Sequence, residues 1–402
     1  MKTLEEIERA HGELAAIRRD IHANPETAFE ETRTAALVAE RLKSWGLEVH
    51  TGLGKTGLVG VLRGTGASKR SLGLRADMDA LPVLEQNRFA HKSLFDGKMH
   101  ACGHDGHTTI LLGAAQYLAK HRDLFDGTVN FIFQPAEENG NAGARAMMQE
   151  GLFDRFPCDA VFGLHNMPGM KANVFGFRAG PAMASSNRFT ITVKGVGAHA
   201  AQPHKGVDPI IIAAEMVGVL QTIVSRNKDP QEAAVLSVTQ IHAGDAFNII
   251  PSHAVIKGTV RTYSTAVLDT IQEAMQRIAT TLPQVYGAEG ELDFIRAYPP
   301  LVNHEKETEF AAMIAEQAFG KEHVDRTIPP YAIAEDFSFF LEAKPGCYLF
   351  LGNGDGSHRE QSYSGMGPCQ LHNASYDFND ALLPYGATYW VKLVESFLPR
   401  PA

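Results

Sequence analysis

The chain has 402 residues, 44% of them hydrophobic and 21% charged, with a formal net charge of −9. That length exceeds one ordinary hydrophobic core and sets an expectation of two domains. The acidic balance argues against nucleic acid or an anionic membrane as a partner. Taken in order, residues 4–23 carry Leu, Ile and Ala at helical spacing until Asn24-Pro25 stops them, and Thr32–Trp45 reads as a second helix closed by Gly46. Strands are predicted at Leu47–His50, Leu58–Leu62 and Ser71–Arg75, then a helix over Gly106–Lys120 and a buried strand over Thr128–Phe133. A helix near Ala142–Glu150 and a strand at Ala160–Leu164 follow. Strands alternating with helices imply an α/β layer with a largely parallel sheet.

The pattern changes near Asn187. Strands are predicted at Arg188–Lys194, Val235–Ile241, Ala254–Thr262 and Glu291–Arg296, with helices at Asp208–Ser225 and Val267–Thr281. That order is β-α-β-β-α-β, a ferredoxin-like unit. The α/β pattern resumes afterwards, with helices at Thr308–Phe319 and Glu335–Leu341, a strand at Cys347–Leu351 and a closing helix over Asp380–Phe397. The expected architecture is a metal-bearing α/β domain, residues 1–184 and 299–402, carrying an inserted unit at 185–298. No stretch approaches the roughly 20 apolar residues of a membrane span, and the first residues lack a signal-peptide core. The four cysteines are too few and too scattered for a disulfide framework, so a reduced cytoplasmic setting is expected.

The densest chemistry lies in His100-Ala-Cys102-Gly-His104-Asp105-Gly-His107. A helix starting at Asp105 or Gly106 leaves Cys102 and His104 on the preceding loop, where thiolate and imidazole converge on a borderline-soft cation. Distant partners fall just after predicted strands, where open α/β sheets bind ligands: Asp77 and Asp79, Glu137 and Glu138, and His165. His372 lies in the loop before the last helix. Cys102, His104, Glu138, His165 and His372 are too many for one tetrahedral catalytic zinc, so two metal ions sharing a bridging group fit better. Of the adjacent carboxylates Glu137 and Glu138, one can ligate while the other acts as general base. Asp77 and Asp105 are candidates for orienting the ligand imidazoles.

Nearly the whole chain resembles the M20 metallopeptidase family, and most closely its amidohydrolase branch. The matching strings are Arg18–Glu26, Arg75–Pro82, Met99–His107, Gln134–Glu138, Leu164–Asn166, Gly195–Ala200, Asn248–Pro251 and Ala334–Phe337. The resemblance implies a catalytic domain with an inserted lid or dimerisation domain, and assembly as a homodimer or a dimer of dimers. It makes Cys102 the bridging ligand, completes the two sites with His104, Glu138, His165 and His372, and makes Glu137 the base. It implies that His199 reaches a neighbouring subunit's site as a catalytic donor, and that Asn248 and Arg261 lie near a substrate carboxylate. Peptidase relatives carry a histidine where Arg75 stands and an aspartate as bridge; this departure favours small N-acyl amino acids, hippurate-like in size, over peptides. Sulfur ligation leans toward zinc, with manganese, cobalt and nickel as alternatives. A dipeptidase or aminoacylase of the same fold, and a metal-binding protein without catalysis, are the competing readings.

Overall fold

A computed structural model describes residues 3–360 and 362–401. After a short helix, Glu5–Arg9, the chain forms α1 (His11–Ala23), α2 (Thr32–Ser44), β1 (Glu48–Leu53), β2 (Gly57–Arg63) and β3 (Ser71–Asp77). It continues through α3 (His104–Lys120), β4 (Thr128–Gln134) and β5 (Ala160–Pro168). Next come β6 (Ser186–Lys194), α4 (Pro209–Thr222), β7 (Ala234–His242), β8 (His253–Thr262), α5 (Thr265–Val285) and β9 (Glu289–Tyr298). It ends with α6 (Glu305–Phe319), β10 (Gly346–Gly354) and α7 (Leu383–Phe397).

The larger compact unit comprises the residues up to Gly180, with Asn303–Pro329 and Phe339 onward. Its sheet runs β1-β2-β4-β3-β5-β10, then the short strands Phe175–Gly176 and Val324–Asp325. β1 and β2 pair antiparallel at the edge, whereas β4, β3, β5 and β10 are parallel. Every residue of β3 and β5 is buried, as expected of parallel strands covered on both faces. Helix α3 buries Ile110, Leu111, Leu112, Ala114, Ala115 and Leu118 completely and packs on α1, α7 and β3. This core holds the carboxyl ends of four parallel strands rigidly, and the polar clusters lie there or just beyond.

The second unit is Pro181–Val302 with Pro330–Ser338, against expected bounds of 185–298. Its antiparallel sheet runs β7-β8-β6-β9, so the element order is the βαββαβ that the strand and helix periods predicted. Phe189, Ile191 and Val193 of β6 and Ile256 of β8 bury one face against Ile212, Met216 and Leu220 of α4 and Ile271 and Met275 of α5.

Three expectations need correction. The helix expected over Glu335–Leu341 starts at Ser338, because Glu335 Oε1 takes the Phe337 amide at 2.9 Å and competes with the first helical turn. The helix expected over residues 4–23 is divided at Ala10. Third, the stretch Pro209–Asn227 is 19 residues long with mean hydropathy 1.4, so one segment does reach membrane-spanning length. One face, Ile212, Ala213, Met216, Leu220 and Ile223, belongs to the core of the inserted unit, while Ile210 and Ile211 are exposed.

Candidate metal centre

Gly103 organises the cluster. Its φ of 92° lies in the left-handed region, and a Cβ there would stand 2.2 Å from Asn166 Nδ2 and 2.5 Å from Tyr376 Oη. Only glycine accepts both constraints. The turn at Gly103 makes His104 the first residue of α3, not a loop residue as expected, and leaves Cys102 just before it. His372 arrives from the far end of the chain with its own positive φ of 62°, and its amide donates to Ala101 O at 2.7 Å. A non-glycine residue in that conformation is held by its surroundings; here the loop carrying Cys102 does the holding.

The donor atoms of Cys102, His104 and His165 all lie within 4.8 Å of one another, and so do those of Cys102, Glu138 and His372. All five sequence-identified ligands therefore fall into two groups of three that share Cys102. Cys102 Sγ is 3.4 Å from His165 Nε2, and His372 Nε2 is 3.1 Å from Glu138 Oε1. Glu137 lies within the same span of His104 and Glu138.

The hydrogen bonds fix which nitrogen of each imidazole is free to ligate. His104 Nδ1 donates to Asp79 O at 2.8 Å, and its buried Nε2 makes no hydrogen bond. His165 Nδ1 donates to Asn166 O at 2.6 Å, turning Nε2 toward Cys102. Backbone carbonyls that take one ring proton present the other lone pair to a cation. Glu138 Oε1 is also buried without a hydrogen bond, despite its closeness to His372. Such unsatisfied buried atoms are uncommon in folded proteins, and two of them on residues whose donor atoms cluster with Glu137 within 4.8 Å fit divalent cations.

Asp79, noted in the sequence without a role, ties the segments together. Its Oδ1 and Oδ2 accept the amides of Glu137 at 3.0 Å and Glu138 at 2.9 Å, and Oδ1 lies 3.3 Å from His104 Nδ1. The signal was present in Asp77-Met78-Asp79, whose second acid follows the strand end by two residues. Asp77 itself accepts from His107 Nδ1 at 2.7 Å and from Arg75 Nη1 at 2.8 Å, and reaches only to 3.6 Å from His104 Nε2. His107 Nε2 accepts the Asn166 amide at 2.9 Å, so both its nitrogens are engaged. Asp105, expected to orient a ligand imidazole, instead bonds His22 Nδ1 at 2.8 Å. Successive helical residues point about 100° apart, which turns Asp105 away from the donors beside its neighbour His104.

The charges explain the need for a cation. Burial pushes the Cys102 thiol well above its ordinary value, and Glu138 and Glu137 add to it. Burial opposes a charge on His104, but Asp77, Asp79 and Glu138 outweigh it and push the imidazole up to about 10. Burial, then His107, keeps His165 well below its usual range and therefore neutral. Asp77 stays ionised despite its burial, because His104, Arg75 and His107 surround it. A divalent ion held by these donors would relieve this negative field and let the thiol ionise.

The remaining expected residues belong to the second unit. His199 pairs with Ile249 in a two-residue strand, is exposed, and accepts the Ala201 amide on Nδ1 at 3.1 Å. Asn248 is exposed, and its carbonyl accepts the Ala200 amide at 3.0 Å. Arg261, half-buried on β8, donates to Ser185 O at 3.3 Å. Desolvation lowers its pKa.

The description "Peptidase family M20/M25/M40" matches residues 73–396. The chain is 43% identical to a hippurate hydrolase of Campylobacter jejuni over 398 residues, 99% of this chain and all of the relative. It is 37% identical to an IAA-amino acid hydrolase of Arabidopsis thaliana, covering 96% of this chain and 86% of that one. Among solved structures, an aminohydrolase from methicillin-resistant Staphylococcus aureus superposes with a TM-score of 0.91 at 31% identity, covering 98% of both chains. A dinuclear metal-binding peptidase of Bacillus subtilis gives 0.84 at 31% identity, covering 98% of this chain and 99% of the other. The chain belongs to Peptidase family M20/M25/M40 and is a hydrolase of its amide-cleaving branch.

Proposed function

We propose that the protein cleaves the amide bond of small N-acyl-L-amino acids of hippurate size, releasing a carboxylic acid and an amino acid. The observation that carries this reading is the pair of donor triads sharing Cys102, with Glu137 beside them. Cys102, His104, Glu138, His165 and His372 would hold two divalent cations, zinc by preference for the sulfur donor. When bound, such a pair polarises the scissile carbonyl and makes water acidic enough to give up a proton near neutrality. Glu137, buried and fixed through its amide to Asp79, takes that proton and returns it to the leaving amine.

Arg75 supports the amidohydrolase reading over the peptidase one. It is buried and donates to Gln134 Oε1 at 2.8 Å and to Asp77, so no ligand stands at the position where peptidase relatives carry a histidine. Arg261 pairs with no carboxylate among the described residues, which leaves its fork for a substrate carboxylate, with Asn248 and His199 as further polar contacts. In this reading the inserted unit serves as a lid and as the dimer surface, and His199 completes the site of a second copy. Exposed Ile210, Ile211, Val235 and Ile241 on that unit favour such pairing. The four free cysteines, all buried, suit a reduced cytoplasmic setting.

Glycine release from hippurate and from a glycine-terminated dipeptide, each with and without chelator, tests the proposal. Metal-dependent release from hippurate at least about tenfold faster than from the dipeptide is expected, a discrimination of about 1.4 kcal/mol. The reverse order would move the protein to the dipeptidases, and no release from either with metal bound would leave a binding protein.

A further inference from the structure

The amides of Ala136, Glu137 and Glu138 all donate to buried carboxylates. Asp79 takes the second and third; Glu31 Oε1 takes the first at 2.9 Å. Glu31 is fully buried, and its other oxygen accepts from Thr56 Oγ1. Ala136 has φ 53°, a left-handed conformation that strains a non-glycine residue, and Glu137 follows in the right-handed region at φ −66° and ψ −39°. Consecutive amides turned in this way form a concavity that attracts anions, and here protein carboxylates fill it. The same Glu31 Oε1 accepts the Phe29 amide at 3.0 Å, and Phe29 too has a positive φ, 62°. One oxygen thus braces two strained turns, one before α2 and one directly before the Glu137–Glu138 pair.

We infer that Glu31 is a positioning residue: its carboxylate holds the Ala136 peptide in the left-handed turn that sets Glu137 and Glu138 against the donor cluster. Glu31 acts through the backbone and touches none of the five donors. Burial pushes its carboxyl up to about 7, with Thr56 opposing and Asp79 adding; charged or neutral, it retains an oxygen to accept the Ala136 amide. The inference rests on Glu137 being the base.

The test uses full-length enzyme with zinc supplied, and hippurate as substrate. Glu31→Ala lowers kcat by ~10–100-fold with KM within about threefold, the scale expected when a reacting group is misplaced by about an ångström. Glu31→Gln, which keeps an acceptor oxygen, stays within about threefold of the parent. Glycine adopts positive φ without strain, so adding Ala136→Gly to Glu31→Ala restores kcat by about tenfold, with the Ala136→Gly single variant as reference. In metal-free protein, hydrogen exchange at the Ala136–Glu138 amides accelerates in Glu31→Ala and not in Glu31→Gln. Parental kcat in folded Glu31→Ala, unchanged exchange, or a loss that Ala136→Gly leaves in place would each overturn the inference. Should Glu31→Ala not fold, Glu31→Asp withdraws the acceptor while keeping the charge, and the same loss and rescue are required of it. Failure of the underlying reading shows separately, as turnover persisting in Glu137→Gln.

Discussion

Asp105 Oδ2 lies 2.8 Å from His22 Nδ1, and on the far side of that ring Nε2 lies 3.2 Å from Glu85 Oε1. A buried imidazole thus bridges two buried carboxylates and joins α1 to the first turn of α3. Arg18, one turn earlier on α1, adds ion pairs to Asp380 at 2.7 Å, Asp377 at 3.3 Å and Asp105 at 3.5 Å. The loop that delivers His372 runs into Asp377, so this network ties the segments carrying His104 and His372 to one helix.

The network predicts a pH signature. Burial opposes a charge on His22, yet Asp105 and Glu85 push it up to about 9 from an ordinary 6.5. The stabilisation is therefore complete below pH 6.5 and is lost as pH rises through 9. Urea unfolding of the parent and of His22→Gln at pH 6 and at pH 9.5 should show their stability gap narrowing by about 3 kcal/mol at the higher pH. A gap that does not change with pH would mean the ring is neutral in the folded protein.

Gly103→Ala should remove the centre by steric means alone. The added Cβ meets Asn166 Nδ2 at 2.2 Å on a backbone with φ 92°, and the two penalties together exceed about 3 kcal/mol. Expected results are a fall in melting temperature and loss of bound zinc. A stable, zinc-replete Gly103→Ala protein would show that this turn is not required.

Loading the centre should release protons. The buried Cys102 thiol is held well above its ordinary value without a cation, and a ligating thiolate must lose its proton. Calorimetry of zinc binding in two buffers of different ionisation enthalpy should report at least about one proton released. In Cys102→Ala that proton disappears and affinity falls at both sites. Unchanged affinity at both would remove Cys102 from its bridging role.

Much of this was legible in the sequence, and what was not has a physical reason. Strand β4 showed as an apolar run because it is buried nearly throughout in the middle of the sheet. The five donors stood out because Cys102 and His104 flank a glycine, Glu138 and His165 follow predicted strands, and His372 lies in the loop before the closing helix. The start of α3 was misjudged because a glycine's letter does not disclose the sign of its φ. Asp105 was misassigned because adjacency in a helix separates side chains by about 100°. Glu31 drew no notice because its partner amide lies 105 residues away, and contacts of that separation leave no local period.

If His199 completes the site of a second subunit, two inactive proteins should rescue each other. Mixing His199→Ala with Glu137→Gln and allowing subunits to exchange gives hybrids with one intact composite site. Hippurate turnover should recover to about a quarter of the parental rate at equal mixing: half of the dimers are hybrids, each with one of two sites working. No recovery, with hybrid dimers demonstrated, would return His199 to its own subunit's site or to none.

The central claim is that five side chains from four segments hold two cations against an amide bond. Chelator-treated protein titrated with zinc, with bound metal and hippurate turnover followed together, tests this most directly. Binding should saturate at about two equivalents per chain, turnover should appear only as they fill, and Glu137→Gln should bind the same two equivalents and stay inactive. Full turnover in metal-free protein, or saturation at two equivalents with no amide cleaved, would contradict the account.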